Sequence, residues 1–248
     1  MKGKVAIITG ATSGIGKETA LLFAKHGIKV ALAGRNEKAG AELVTEIHDN
    51  KGEALFVKTD VGHANSVIHF IESAKKHFGG IDYAFNNAGI EGKLELLADI
   101  EEKDWDEVMN INLKGVWLSM KYVLPAILDR GGGSIVNTST NLTAMGVPTT
   151  AIYTASKAGV NALTQVAATE YGKYGVRVNA INPGAVDTPL LHRVYTPEVK
   201  EQIKKTNPLG TIATPHDVAG VALWLCSPLA GHINGVSLFI DGGHSLVG

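Results

Sequence analysis

The chain has 248 residues, a length that suits one α/β domain with a substantial core. Its 23 basic and 24 acidic residues leave a net charge of −1, which excludes the electrostatic footprint of a nucleic-acid or anionic-membrane binder. The single cysteine, Cys226, rules out an intrachain disulfide, and the nine histidines show no spacing suited to a metal site.

The sequence enters its first apolar run by Lys4-Val5, so no secretory leader is expected. Without a membrane-length apolar run either, a cytoplasmic protein is the default. From there, apolar β-rich runs alternate with helix-period stretches to the end of the chain. The runs fall at 5–9, 29–33, 54–58, 82–86, 134–139, 177–181 and 236–240. Amphipathic segments lie between them, at 17–26, 38–48, 66–78, 103–128 and 155–174. Apolarity in the runs is continuous rather than alternating, which predicts a parallel sheet covered on both faces. With right-handed crossovers this gives a doubly wound, Rossmann-type sheet of about seven strands with helices on both faces. No linker or low-complexity block divides residues 1–248, so a single domain is expected. Residues 185–207 break the alternation and carry Pro189 and Pro197, with Pro208 just beyond. Their place after a strand's C-terminal end suggests a lid over the substrate, although an ordinary surface excursion would read the same way.

The first run leads into Thr9-Gly10-Ala11-Thr12-Ser13-Gly14-Ile15-Gly16 and then a helix. Strand, glycine turn and helix in that order form a dinucleotide-binding unit: glycines let the backbone approach a pyrophosphate, and the helix N-terminus offers free N–H groups. Far along the chain, Tyr153-Thr154-Ala155-Ser156-Lys157 places a phenol and an ammonium four residues apart, on one face of a helix. A tyrosine titrates near pH ~10, and a nearby cation favours the phenolate, which predicts a Tyr153 pKa drawn toward neutrality.

The spacing Gly10-x-x-x-Gly14-x-Gly16, the Tyr153/Lys157 pair and Asn86-Asn87-Ala88-Gly89 together resemble the short-chain dehydrogenase/reductase family. Asn112 in Asn110-Ile111-Asn112-Leu113-Lys114-Gly115, the stretch 134–140, Asn182-Pro183-Gly184 and Phe239-Ile240-Asp241-Gly242-Gly243 extend the resemblance, in order, over the whole chain. It implies hydride transfer between a nicotinamide dinucleotide and a CH–OH/C=O carbon. Tyr153 would donate or accept the proton, while Lys157 lowers its pKa and holds the nicotinamide ribose. Asn112 would hold a water linking Lys157 to solvent. The family's carbonyl-binding serine sits thirteen residues before the tyrosine, and that position is Thr140, with Ser139 beside it. Thr140 keeps the hydroxyl, so it is the first choice and Ser139 the second. Along the dinucleotide, the resemblance implies contacts from Gly10, Thr12, Ser13, Gly14, Ile15 and Gly16, from Asp60 and Val61 at the adenine edge, and from Asn87, Ala88 and Gly89. Pro183, Gly184, Val186 and Thr188 would complete the nicotinamide end. Asn86 reads as structural, bridging backbone between strands.

After the second run the chain reads Ala33-Gly34-Arg35-Asn36. An NAD-selective enzyme places an acid at position 34 for the ribose hydroxyls; glycine removes it, and Arg35 can pair with a 2′-phosphate. NADP(H) is therefore the expected cofactor, with NAD(H) the alternative. The expected function is a dehydrogenase or reductase of secondary alcohols and ketones. NAD-dependent sugar or alcohol oxidation and 3-oxoacyl reduction are runners-up, and a non-catalytic dinucleotide sensor is the reading from another class. The substrate is a small carbonyl compound or alcohol with walls at 91–97, 141–148 and 189–195. Segments 103–128, 155–174 and 236–247 resemble the family's interface elements, which implies a homotetramer.

Overall fold

The computed structural model describes residues 1–247. Seven parallel strands form one sheet: β1 (Val5–Thr9), β2 (Lys29–Gly34), β3 (Ala54–Lys58), β4 (Tyr83–Asn86), β5 (Gly133–Thr138), β6 (Val176–Pro183) and β7 (Ser237–Ile240). Their spatial order is β3-β2-β1-β4-β5-β6-β7, so the order reverses beside β1. This is the switch point at which open α/β sheets leave a crevice beyond the strands' C-terminal ends.

Side-chain alternation sorts the apolar strand residues onto two faces. Val5 and Ile7 of β1 enter one core, packed under α3 (Ala64–Phe78), α5 (Gly115–Leu128) and α6 (Ala151–Tyr171). Ala6 and Ile8 enter the other, under α1 (Gly14–Lys25), α2 (Glu37–Asp49) and α9 (Pro215–Cys226). Both faces are covered, which accounts for the unbroken apolarity of the runs. Phe23, Phe70 and Phe85 are fully buried among these layers. Each such side chain stabilises the fold by roughly 1.5–3 kcal/mol relative to an exposed one.

A polar ladder crosses the apolar layer behind the crevice. Asn86 Nδ2 donates to Asn137 Oδ1 at 2.8 Å, and Asn137 Nδ2 donates to Thr164 Oγ1 at 2.9 Å. The Ser119 hydroxyl closes on Asn86 Oδ1, so β4, β5, α5 and α6 are tied together without leaving these amides unpaired. Asn86 is thus structural as expected, but through side chains rather than backbone.

Two departures from the sequence reading concern helices. The stretch read as one helix, 103–128, is α4 (Glu102–Met109), a π-helical turn over Asn110–Lys114, and α5. Residues 185–207 are not an irregular excursion: they hold α7 (Pro189–Val194) and α8 (Pro197–Thr206). Each begins with a threonine cap followed by proline, Thr188-Pro189 and Thr196-Pro197, with the threonine hydroxyl accepting from Leu191 N or Val199 N. These prolines start helices, since the first helical position has no N–H to lose. No helix is long and apolar enough to cross a membrane among the described residues.

Candidate active site

A cleft of about 500 Å³ opens beyond the C-terminal ends of the strands and runs from the end of β2 to α7. Of the site residues expected from sequence, all but Gly16 and Asn112 line it.

The glycine turn is built for close approach. Gly10 has φ +64°, and a Cβ there would lie 2.8 Å from Ala88 Cα. A Cβ on Gly16 would lie 2.1 Å from Gly10 O, so Gly16 closes the turn from behind rather than facing the cleft. Ser13, the N-cap of α1, makes no side-chain capping bond, which leaves the first N–H groups of the helix for an anion. The Thr9 hydroxyl accepts from Asn87 N at 3.0 Å and Ala88 N at 3.1 Å, fixing the opposite wall; sequence reasoning missed this support. At the far end Gly34 and an exposed Arg35 face the cleft, and among the described residues Arg35 pairs with no carboxylate. Asp60 Oδ1 accepts from Gly62 N at 3.0 Å beside Val61. This glycine cradle, free helix end and uncompensated cation fit an extended pyrophosphate-bearing dinucleotide.

The other half of the cleft is carried by β5 and α6. Ile152, Ser156, Val160, Thr164 and Ala168 recur every four residues as the buried stripe of α6, and Lys157 beside that stripe is drawn inside. Lys157 Nζ donates to Thr138 O at 2.8 Å and lies 5.8 Å from the centre of the Tyr153 ring. Burial pulls the Lys157 ammonium down to about 8. Burial also pushes the Tyr153 phenol up to about 12, with the Glu91 carboxylate and Tyr195 adding in the same direction. The expected drop in the tyrosine's pKa is therefore reversed in the protein alone, because burial, Glu91 and Tyr195 all act to hold the proton on.

The two candidate hydroxyls are not equivalent. Ser139 Oγ donates to Lys157 O at 3.0 Å and is committed to the helix backbone. Thr140 Oγ1 accepts from Leu142 N at 3.4 Å, which uses a lone pair and leaves its proton to donate into the cleft. Asn112 is fully buried in the π turn. Its amide accepts from Ile90 N and donates to Ile90 O, both at 2.8 Å, and donates to Ser156 Oγ at 3.2 Å. It makes no direct bond to Lys157, but a Cβ on Gly89 would touch both, 3.2 Å from Asn112 Oδ1 and 3.3 Å from Lys157 Nζ.

Thr188 Oγ1 donates to Val186 O at 3.2 Å and accepts from Leu191 N at 3.3 Å. Pro183 and Gly184 complete that wall. Across the mouth, Arg193 of α7 meets Glu91 at 3.4 Å. His244 also lines the cleft and was missed from sequence, while Ile203, which lines it too, falls in the segment 185–207 read as a lid. Only the Gly242-Gly243 pair before His244 hinted at a chain reversal toward the site.

A family model described as enoyl-(acyl carrier protein) reductase matches residues 10–245. Cyclohexanol dehydrogenase of Acinetobacter sp. (strain SE19) is 38% identical over 98% of this chain and 95% of its own. The chain belongs to the short-chain dehydrogenase/reductase family. D-threitol dehydrogenase of Mycolicibacterium smegmatis is 35% identical over 99% of this chain and 94% of its own. Among solved structures of this family, levodione reductase superposes with a TM-score of 0.96 at 32% identity, with both chains covered completely. A 3-ketoacyl-(acyl-carrier-protein) reductase from Brucella melitensis, complexed with NADH, has a TM-score of 0.93 at 35% identity over 98% of this chain and 99% of its own. As a short-chain dehydrogenase/reductase, the protein is an oxidoreductase of CH–OH/C=O groups served by a nicotinamide dinucleotide. The sensor reading is set aside.

Proposed function

We propose that the protein interconverts a neutral secondary alcohol and its ketone with NADP(H), by proton relay through Tyr153 and Lys157. The observation that carries this reading is the convergence of Tyr153, Lys157 and the free Thr140 hydroxyl on one cleft with the glycine cradle. When bound, the nicotinamide supplies or takes up the hydride. Tyr153 exchanges a proton with the substrate oxygen, and Thr140 donates a hydrogen bond to that oxygen as its charge changes. Lys157, held by Thr138 O on the helix face it shares with Tyr153, would hold the nicotinamide ribose and favour the phenolate. Asn112, abutting the same Gly89 as Lys157, would seat the water that passes the proton to solvent. Gly34 and Arg35 support NADP(H), although the NADH-bound relative keeps NAD(H) as the competing choice. Relatives named for cyclohexanol, a dichlorocyclohexadienediol and a 3β-hydroxysteroid make a ring-borne secondary alcohol the first substrate class to test.

The segment carrying α7 and α8 would act as the lid. Trp117 and Val166, exposed on α5 and α6, support the tetramer implied by family resemblance, and a cytoplasmic setting goes with this reading. The direct experiment follows oxidation of NADPH and of NADH with cyclohexanone, open-chain ketones and 3-oxoacyl thioesters. Turnover of the cyclic ketone with NADPH in preference to NADH supports the reading; activity confined to acyl thioesters or to NADH overturns it.

A further inference from the structure

Glycine at position 34 is not there for its backbone: Gly34 is absent from the positive-φ glycines, so other residues could adopt its conformation. The obstacle is space. A Cβ on Gly34 would lie 2.7 Å from Thr12 Cγ2 and 3.3 Å from Thr12 Oγ1, whereas Phe56 Cε2, at 3.6 Å, would be in ordinary contact. Thr12 is β-branched, so one turn of its χ1 puts the hydroxyl where the methyl was, and the other puts the hydrogen there only by moving the methyl to the second close position, now held by Oγ1. Its backbone has little room to retreat, because the turn is pinned by Gly10 against Ala88 and by Gly16 against Gly10 O.

We propose that Thr12 is a specificity-determining residue: its side chain closes position 34 to a carboxylate and so keeps the ribose subsite open to a 2′-phosphate. The proposal rests on the NADP(H) reading above and deepens it. Selection at this position then belongs to a pair of residues, one in the glycine turn and one at the end of β2, and neither alone can convert the site. An aspartate at 34 meets the Thr12 methyl before it can face ribose hydroxyls. Removing the methyl alone makes room but brings no charge.

The test is a double-mutant cycle of wild type, Thr12→Ala, Gly34→Asp and the pair, read as melting temperature and as NADPH and NADH dissociation constants by titration calorimetry. Gly34→Asp alone is expected to melt lower and to bind both dinucleotides about tenfold or more weakly. Adding Thr12→Ala should restore the melting temperature and NADH binding while NADPH stays weak, because the carboxylate now faces the phosphate. If Gly34→Asp fails to fold, Gly34→Ala with and without Thr12→Ala asks the steric question with the smallest side chain. Additive effects, or a Gly34→Asp protein that melts normally and binds NADH as tightly as the pair, overturn the proposal. A wild type that prefers NADH instead sinks the phosphate reading, and the melting cycle still decides whether Thr12 closes position 34.

Discussion

Lys157 points its ammonium at the carbonyl oxygen of Thr138, 2.8 Å away, from the helix face it shares with Tyr153. The last residue of β5 thus fixes the cation, and the cation's helix carries the phenol. Tyr153→Phe should keep this packing and lose only the proton donor. Turnover should fall by ~10²-fold or more with dinucleotide affinity nearly unchanged. Lys157→Ala should damage both, and a purely kinetic defect would argue against ribose contact.

Thr140 and Ser139 should separate by the kind of defect they show. Thr140→Ala should lower kcat by ~10²–10³ with little loss of stability, and Thr140→Ser should recover most of it. Ser139→Ala removes the bond to Lys157 O, so it should lower the melting temperature more than the rate. The opposite ranking would hand the carbonyl-binding role to Ser139.

Glu91 faces Tyr153 across the cleft and helps to hold its proton on. Glu91→Gln removes that negative charge and frees Arg193, and both changes favour phenolate. Alcohol oxidation needs the phenolate as base, so its rise with pH should move to lower pH. A pH–rate profile for oxidation that does not move would place Glu91 outside Tyr153's field.

Burial of Lys157 should be visible in stability. Its pKa falls from 10.5 unfolded to about 8 folded, so the unfolded chain binds more protons between these values. Stability from this group is therefore present above pH 10.5 and lost as pH falls through about 8. Lys157→Met should stabilise the protein at neutral pH, and the gap in melting temperature from wild type should close toward pH ~10. A gap independent of pH would show that the ammonium is not desolvated.

Arg35→Ala should weaken NADP(H) by about tenfold relative to NAD(H), an effect kept modest by solvent screening of an exposed charge. Paired dissociation constants decide this, and an unmoved ratio would make Arg35 a solvated loop residue.

The strands were legible because residues buried on both faces leave unbroken apolar runs, and the expected ends fall within two residues of those observed. The π turn around Asn112 was not, since widening one turn of a helix leaves no trace in composition. Helices α7 and α8 were hidden by reading Pro189 and Pro197 as interruptions when each follows a threonine cap. The direction of the Tyr153 pKa was misjudged for a different reason. Spacing reveals a neighbouring charge, but desolvation depends on what the rest of the chain packs around it.

Thr188 joins two parts that the chain order keeps far apart. Its hydroxyl caps α7, and its methyl lies where a Cβ on Gly14 would come within 3.2 Å. A designer wishing to exchange the segment beyond it for that of a relative would have to carry this threonine across unchanged. Under the lid role proposed above, keeping that graft point would let substrate range be recombined from one scaffold to another while the nucleotide half is left alone. A graft that lost it would lose both the cap of α7 and the methyl that packs beside Gly14.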